Sequence, residues 1–166
     1  MFASTLTKAA AVGATAVCAV ALSTTAHAED VYRPFKNQAT GKCLAVPNSS
    51  QTAGTGLIQW DCNNFSEQDW TLTGVAGGDG NRYIIRNLNS KLCIAIPNSS
   101  TALGTQAVQW GCDSRKTEQV FIKDSWGRLR NLNSDKCLAI PNSSTANGTE
   151  VIQWTCTENF NQRWAY

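Results

Sequence analysis

The sequence predicts an all-β domain closed around a pseudo-threefold axis, and three observations carry that prediction. The segment CLAVPNSSQTAGTGLIQWDC at 43–62 recurs as CIAIPNSSTALGTQAVQWGC at 93–112 and as CLAIPNSSTANGTEVIQWTC at 137–156. In each copy the second cysteine follows the first by 19 positions, with Gln-Trp before it at Gln59-Trp60, Gln109-Trp110 and Gln153-Trp154. Beyond residue 28 no apolar stretch keeps a 3.6-residue period for ten residues, which argues against helix. Repeating units of about 45 to 50 residues belong to symmetric arrays. Three units with nothing left over point to closure.

Residues 1–28 read as a cleaved signal peptide. One charge, Lys8, precedes the apolar run 9–22, and small residues follow to Ala26-His27-Ala28, an A-x-A cleavage pattern. The run is too short and too rich in Ala and Thr for a membrane span. Val17 before Cys18 is not the small residue that lipid attachment wants. The expected mature chain, 29–166, is a single secreted domain of 138 residues (166 less 28) without a membrane anchor, acting as a monomer. It carries 13 Lys+Arg (14 less Lys8) against 12 Asp+Glu. Arg115-Lys116 is its one adjacent basic pair. Nucleic acid and anionic membranes both need a concentrated basic face, so neither is an expected partner.

With Cys18 removed, six cysteines remain, two per copy. Six allow 15 pairings on paper. Equal separations make the local set the simplest: Cys43–Cys62, Cys93–Cys112 and Cys137–Cys156. Each closes a loop of about 20 residues, worth roughly 3 kcal/mol in the chain-entropy model. A metal site wants more closely spaced ligands and usually histidine, and the single histidine, His27, leaves with the signal peptide. No metal or other cofactor is expected.

The first unit, about 31–73, offers Leu44 and Val46 as strand residues, then the turn Pro47-Asn48-Ser49-Ser50 running to Gly54. Leu57 and Ile58 make the next strand, and Trp70 and Leu72 the last. An insertion at 74–81, with Gly77-Gly78-Asp79-Gly80, reads as an exposed flexible loop. It lengthens the spacing from Cys43 to Cys93 to 50 positions, against 44 from Cys93 to Cys137. The second unit, about 82–123, repeats the order with Ile94, Ile96, Pro97-Asn98-Ser99-Ser100, Ala107, Val108, Phe121 and Ile122. The third, about 127–166, has Leu138, Ile140, Pro141-Asn142-Ser143-Ser144, Val151, Ile152 and Trp164. Four strands per unit give twelve, at a spacing usual for all-β folds.

Gln68-Asp69-Trp70 and Gln162-Arg163-Trp164 follow the second cysteine of their copies, and Gln119-Val120-Phe121 is a softened version. With the Gly41-Lys42-Cys43-Leu44 opening and an aromatic two residues before the second cysteine, the chain resembles the ricin B-chain type lectin repeat over its whole mature length. The resemblance implies a β-trefoil with three disulfide-closed repeats, and a shallow carbohydrate pocket in each. In galactose-binding members an aspartate two positions after the first cysteine bonds the sugar hydroxyls, an aromatic ring stacks on the sugar, and polar residues at Gln-x-Trp complete the pocket.

This chain departs from that pattern in three ways. Ala45, Ala95 and Ala139 replace the aspartate, and a methyl group accepts no hydrogen bond. The residue before the signature Gln, often Asn in the family, is Glu67, Glu118 and Asn161. The family's usual Leu before the pocket aromatic is Gln59, Gln109 and Gln153. Side chains alternate faces along a strand, so Gln and Trp cannot share a surface there. Either the tryptophans are platforms and the glutamines need buried partners, or the tryptophans fill the core.

The resulting expectation is a non-catalytic carbohydrate-binding protein with an altered, non-galactose preference, directed at a glycan, polysaccharide or cell wall. The candidate sites are Trp60, Asn48 and Gln68; Trp110, Asn98 and Gln119; and Trp154, Asn142, Asn161 and Gln162. Asn48, Asn98 and Asn142 offer amides in place of the lost carboxylate, or are only turn residues. The third site is favoured because Asn161 and Gln162 both survive. Loss of all three aspartates also motivates a second reading, a protein-binding trefoil such as a protease inhibitor or a subunit of a secreted assembly. An enzyme is not expected. Without His the Ser-His-Asp and Cys-His constellations are excluded, and Asp61, Glu67 and Asp69 read as solvated charge. No hydrolase unit is expected beside the repeats.

Overall fold

The computed structural model describes residues 30–77 and 79–166; the signal peptide read over 1–28, with Cys18 and His27, lies outside the described residues. The first repeat contributes β1 (Arg33–Pro34), β2 (Lys36–Asn37), β3 (Cys43–Ala45), β4 (Ile58–Trp60) and β5 (Asp69–Gly74). The second contributes β6 (Arg82–Asn87), β7 (Cys93–Ala95), β8 (Val108–Trp110) and β9 (Phe121–Lys123). The third contributes β10 (Leu129–Asn131), β11 (Cys137–Ala139), β12 (Ile152–Trp154) and β13 (Trp164–Ala165). The twelve expected strands become thirteen because the first is broken after Pro34, which has no amide hydrogen to give a ladder. Among the described residues the helical segments are six single 3-10 turns.

The outer strands of the repeats close into an antiparallel ring. Strands β1 and β2 run beside β5 and β13 respectively, β5 pairs with β6, β6 with β9, and β9 with β10. A bridge between Arg128 and Arg163 joins the β10 and β13 sides. The inner strands form three hairpins, β3–β4, β7–β8 and β11–β12. Single bridges hold the hairpins to one another, Gly56 to Val108, Ile58 to Glu150 and Gln106 to Ile152. A six-stranded barrel capped by a triangle of hairpins is the β-trefoil.

Its core is built from equivalent residues in threes. Phe35, Ile85 and Leu129 form one set; Leu44, Ile94 and Leu138 another; then Val46, Ile96 and Ile140; Leu57, Ala107 and Val151; and Trp70, Phe121 and Trp164. All are essentially buried. The two core indoles donate to backbone carbonyls, Trp70 to Leu44 at 3.0 Å and Trp164 to Leu138 at 3.1 Å, which satisfies their only polar atom. The disulfides are Cys43–Cys62, Cys93–Cys112 and Cys137–Cys156, with Cα separations of 5.1, 5.0 and 5.0 Å. Each ties the start of a hairpin to the residues just past its end.

Candidate functional site

Every repeat carries an open pocket in the same place, between its Pro-Asn-Ser turn, the second strand of its hairpin and the 3-10 turn that leads into Gln-x-Trp. Site 1 has a volume of about 320 Å³, site 2 about 420 Å³ and site 3 about 500 Å³. Ala45, Ala95 and Ala139 lie buried at the floors, so methyl groups stand where a carboxylate would accept sugar hydroxyls.

Each pocket is walled by a tryptophan. Trp60, Trp110 and Trp154 are 43, 51 and 43 % exposed, so they are surface rings and not core. Gln59, Gln109 and Gln153 point inward and are fully buried, as strand alternation then requires. Their amide nitrogens bond into another repeat. The Gln59 amide donates to the carbonyls of Ser144 and Ala146 at 2.5 and 3.0 Å. Gln109 donates to Ser50 and Thr52 at 2.9 and 3.0 Å, and Gln153 to Ser100 and Ala102 at 2.9 and 2.8 Å. The Gln153 oxygen also accepts from Ser134 Oγ at 2.6 Å. The same neighbouring loops back the rings. A Cβ on Gly54 would come within 3.2 Å of Trp110, on Gly104 within 3.9 Å of Trp154, and on Gly148 within 3.8 Å of Trp60. Gln153→Ala should therefore cost about 3 kcal/mol in urea unfolding, since each stranded buried polar group costs roughly 1–3 kcal/mol.

Asn48, Asn98 and Asn142 are exposed at the pocket rims in the left-handed region, with φ of 52, 54 and 51°. Asn tolerates that conformation, but Ser49, Ser99 and Ser143, which follow at 49, 50 and 50°, seldom adopt it. Two of the turns are clamped from the next repeat: Asn89 Nδ2 donates to Ser49 O at 3.0 Å and Asn133 Nδ2 to Ser99 O at 2.9 Å. Ala39 occupies the corresponding position for the third turn.

The signature glutamines line the pockets with their amides already engaged. Gln68, Gln119 and Gln162 are buried with both ends of each amide committed to backbone. Their oxygens accept from Asn63, Asp113 and Thr157 N–H, and their nitrogens donate to Asp61, Gly111 and Thr155 carbonyls. They fix the loop after the second cysteine and so shape the floor. Asn161 is similarly engaged: its Nδ2 donates to Ile140 O at 2.7 Å, and its Oδ1 is buried without a partner. Asn161 and Gln162 thus both serve the framework of site 3, whose lining they join.

Sequence reasoning missed two kinds of residue. Buried Asn37, Asn87 and Asn131 hold the backbone carbonyls of Asn161, Glu67 and Glu118 at 2.9, 3.0 and 2.9 Å, which positions the residue before each Gln. The pocket walls also include Asn63 and Phe65 in site 1, Asp113 and Lys116 in site 2, and Thr157 and Asn159 in site 3. Alignment of the copies at the second cysteine and at Gln would have marked these positions as equivalent and variable.

The three pockets differ in charge. Site 2 holds Asp113, Lys116 and Glu118, and Arg115 binds both oxygens of Asp113 at 2.9 Å, which lowers its carboxyl to about 2. Site 1 holds one charged residue, Glu67, whose oxygens accept from Asn63 Nδ2 at 3.1 Å and Ser49 Oγ at 3.4 Å. Beside it Asp61 is held below the usual carboxylate range by hydrogen bonds from Lys42 and Asn147. Asp69 is pushed up by burial and, less, by the charge of Glu67. Site 3 is lined by uncharged residues.

A closed trefoil with three equivalent, ring-walled pockets is the architecture of a lectin-type domain. The chain belongs to the ricin-type beta-trefoil lectin domain family, whose model matches residues 31–164. It is similar to the designed threefold-symmetric protein ThreeFoil, with 29 % identity over 80 % of this chain and 95 % of that one, at a TM-score of 0.73. An exo-beta-1,3-galactanase from Clostridium thermocellum matches at 24 % identity and TM-score 0.72, over 82 % of this chain but 29 % of its own. The C-half of an earthworm R-type lectin, solved with GalNAc, matches at 18 % identity and TM-score 0.64, over 81 % of this chain and 95 % of that one. The last two likenesses speak to fold.

Proposed function

We propose that the protein is a secreted, non-catalytic carbohydrate-binding protein that holds a polysaccharide or cell-wall matrix through its three pockets. The observation that carries this reading is the exposure of Trp60, Trp110 and Trp154, each beside a rim asparagine. A ring and a few hydrogen bonds in a wet, open pocket bind one sugar weakly, roughly millimolar. Three pockets on one rigid frame gain affinity for a polymer by effective concentration. The methyl floors argue against galactose. The protein-binding reading rested on the lost aspartates alone, and three surface tryptophans in pockets favour a sugar.

The test is retention of the purified, oxidised protein on a panel of insoluble polysaccharides, with free galactose as competitor. Retention that galactose does not displace is expected. Failure to bind any glycan ends the reading, and displacement by free galactose ends the altered preference.

A further inference from the structure

The three pockets share a frame and differ in what decorates it, and site 1 has a combination of its own. Glu67 lies in a pocket with two aromatic rings, Trp60 at 43 % exposed and Phe65 at 64 %. No Lys or Arg lines that pocket. The nearby cation is already used: Lys42 Nζ pairs with Asp61 at 2.5 Å. None of the five ion pairs among the described residues includes Glu67, whose partners are a neutral amide and a hydroxyl. Asp69, two residues on, adds to the same negative field.

A carboxylate sharing a pocket with two exposed rings suits one kind of ligand group. Ring faces attract a cation through their quadrupole, and a carboxylate accepts a short, charge-assisted hydrogen bond from an ammonium. The other sites lack the combination. Site 2 has Lys116 at the position of Phe65, so a cation of its own lines the pocket with Glu118. Site 3 has Asn159 and Asn161 at the two positions and no charge.

We infer that site 1 is a subsite for a sugar residue bearing a free, protonated amine, such as a glucosamine unit of a partly deacetylated polysaccharide. The inference rests on the carbohydrate-binding reading above. An N-acetylated unit presents a neutral amide to Glu67 and forfeits both attractions. Sites 2 and 3 then take the neutral residues of the same polymer.

The test compares a glucosamine tetrasaccharide with its fully N-acetylated counterpart by NMR titration of the oxidised protein at low salt, with the Trp60 indole N–H as the local signal. The amine form should bind about tenfold more tightly, as befits a charge-assisted bond, and should perturb Trp60 before Trp110 or Trp154. Glu67→Asn installs the residue that the third repeat carries at this position, and should bring the ratio to about one by removing that bond. Phe65→Lys, which imitates site 2, should do the same by an independent route. Equal affinities in the unaltered protein, an undiminished preference in both variants, or a first response at Trp110 or Trp154 would overturn the inference. Oligolysine binding as tightly as the amino sugar would overturn the choice of occupant. Retention on neutral polysaccharides without preference for the amine sinks this inference alone, whereas no glycan binding at all sinks the carbohydrate reading with it.

Discussion

Trp164→Ala should cost about 3–5 kcal/mol of stability, whereas Trp154→Ala, ten positions earlier in the same repeat, should leave folding nearly intact and lose ligand. Trp164 is buried, fills one position of the Trp70–Phe121–Trp164 core set, and donates its indole N–H to Leu138. Removing it opens a cavity and strands a carbonyl. Trp154 presents nearly half of its surface to solvent and lies against Gly104 of the neighbouring repeat. Its loss removes a wall of site 3 and little of the core. Chemical denaturation and polysaccharide retention, measured side by side, separate the two roles. Severe destabilisation by Trp60→Ala, Trp110→Ala and Trp154→Ala alike would end the stacking proposal.

Reduction of the three disulfides should unfold the protein or lower its melting temperature by tens of degrees. Each bridge closes a loop spanning 19 positions and contributes roughly 3 kcal/mol. Three together approach the 5–15 kcal/mol that holds a typical domain folded, so about 9 kcal/mol is a large share. Cys62 and Cys112 are exposed, which gives reductant an entry, while Cys43, Cys93 and Cys137 are buried. Calorimetry with thiols counted in the same sample is the measurement. An unchanged melting curve after full reduction would show that packing of the threefold core suffices.

The repeat made the fold, the bridges and much of the core legible, because three copies vote on every position: Leu44, Ile94 and Leu138 read as core without reference to a structure. The orientation of Gln-Trp was a different matter. A period of two places Gln153 and Trp154 on opposite faces but does not say which face is inside. The deciding partners of Gln153 are carbonyls of Ser100 and Ala102, separated from it by 53 and 51 positions, and no local pattern announces them. The engagement of Asn161 was equally hidden: the family position suggests a ligand contact, while the fold also gives its amide nitrogen to Ile140. Phe65, Lys116 and Asn159 carry no shared letter, and the pockets differ where the copies disagree.

The glutamine amides have a direction. Gln59 of the first repeat reaches the third, Gln153 of the third reaches the second, and Gln109 of the second reaches the first. In an open stack of repeats the outermost member can fray while the rest survives. A directed cycle has no outermost member, and loss of one repeat releases two of the three clasps at once. One repeat alone also lacks the glycine loop that seats its tryptophan. Valence is therefore not additive along this chain: a truncated form with one or two repeats forfeits every pocket wall that borrowed its backing from a missing neighbour, and separately made repeats regain theirs only by assembling into a ring of three.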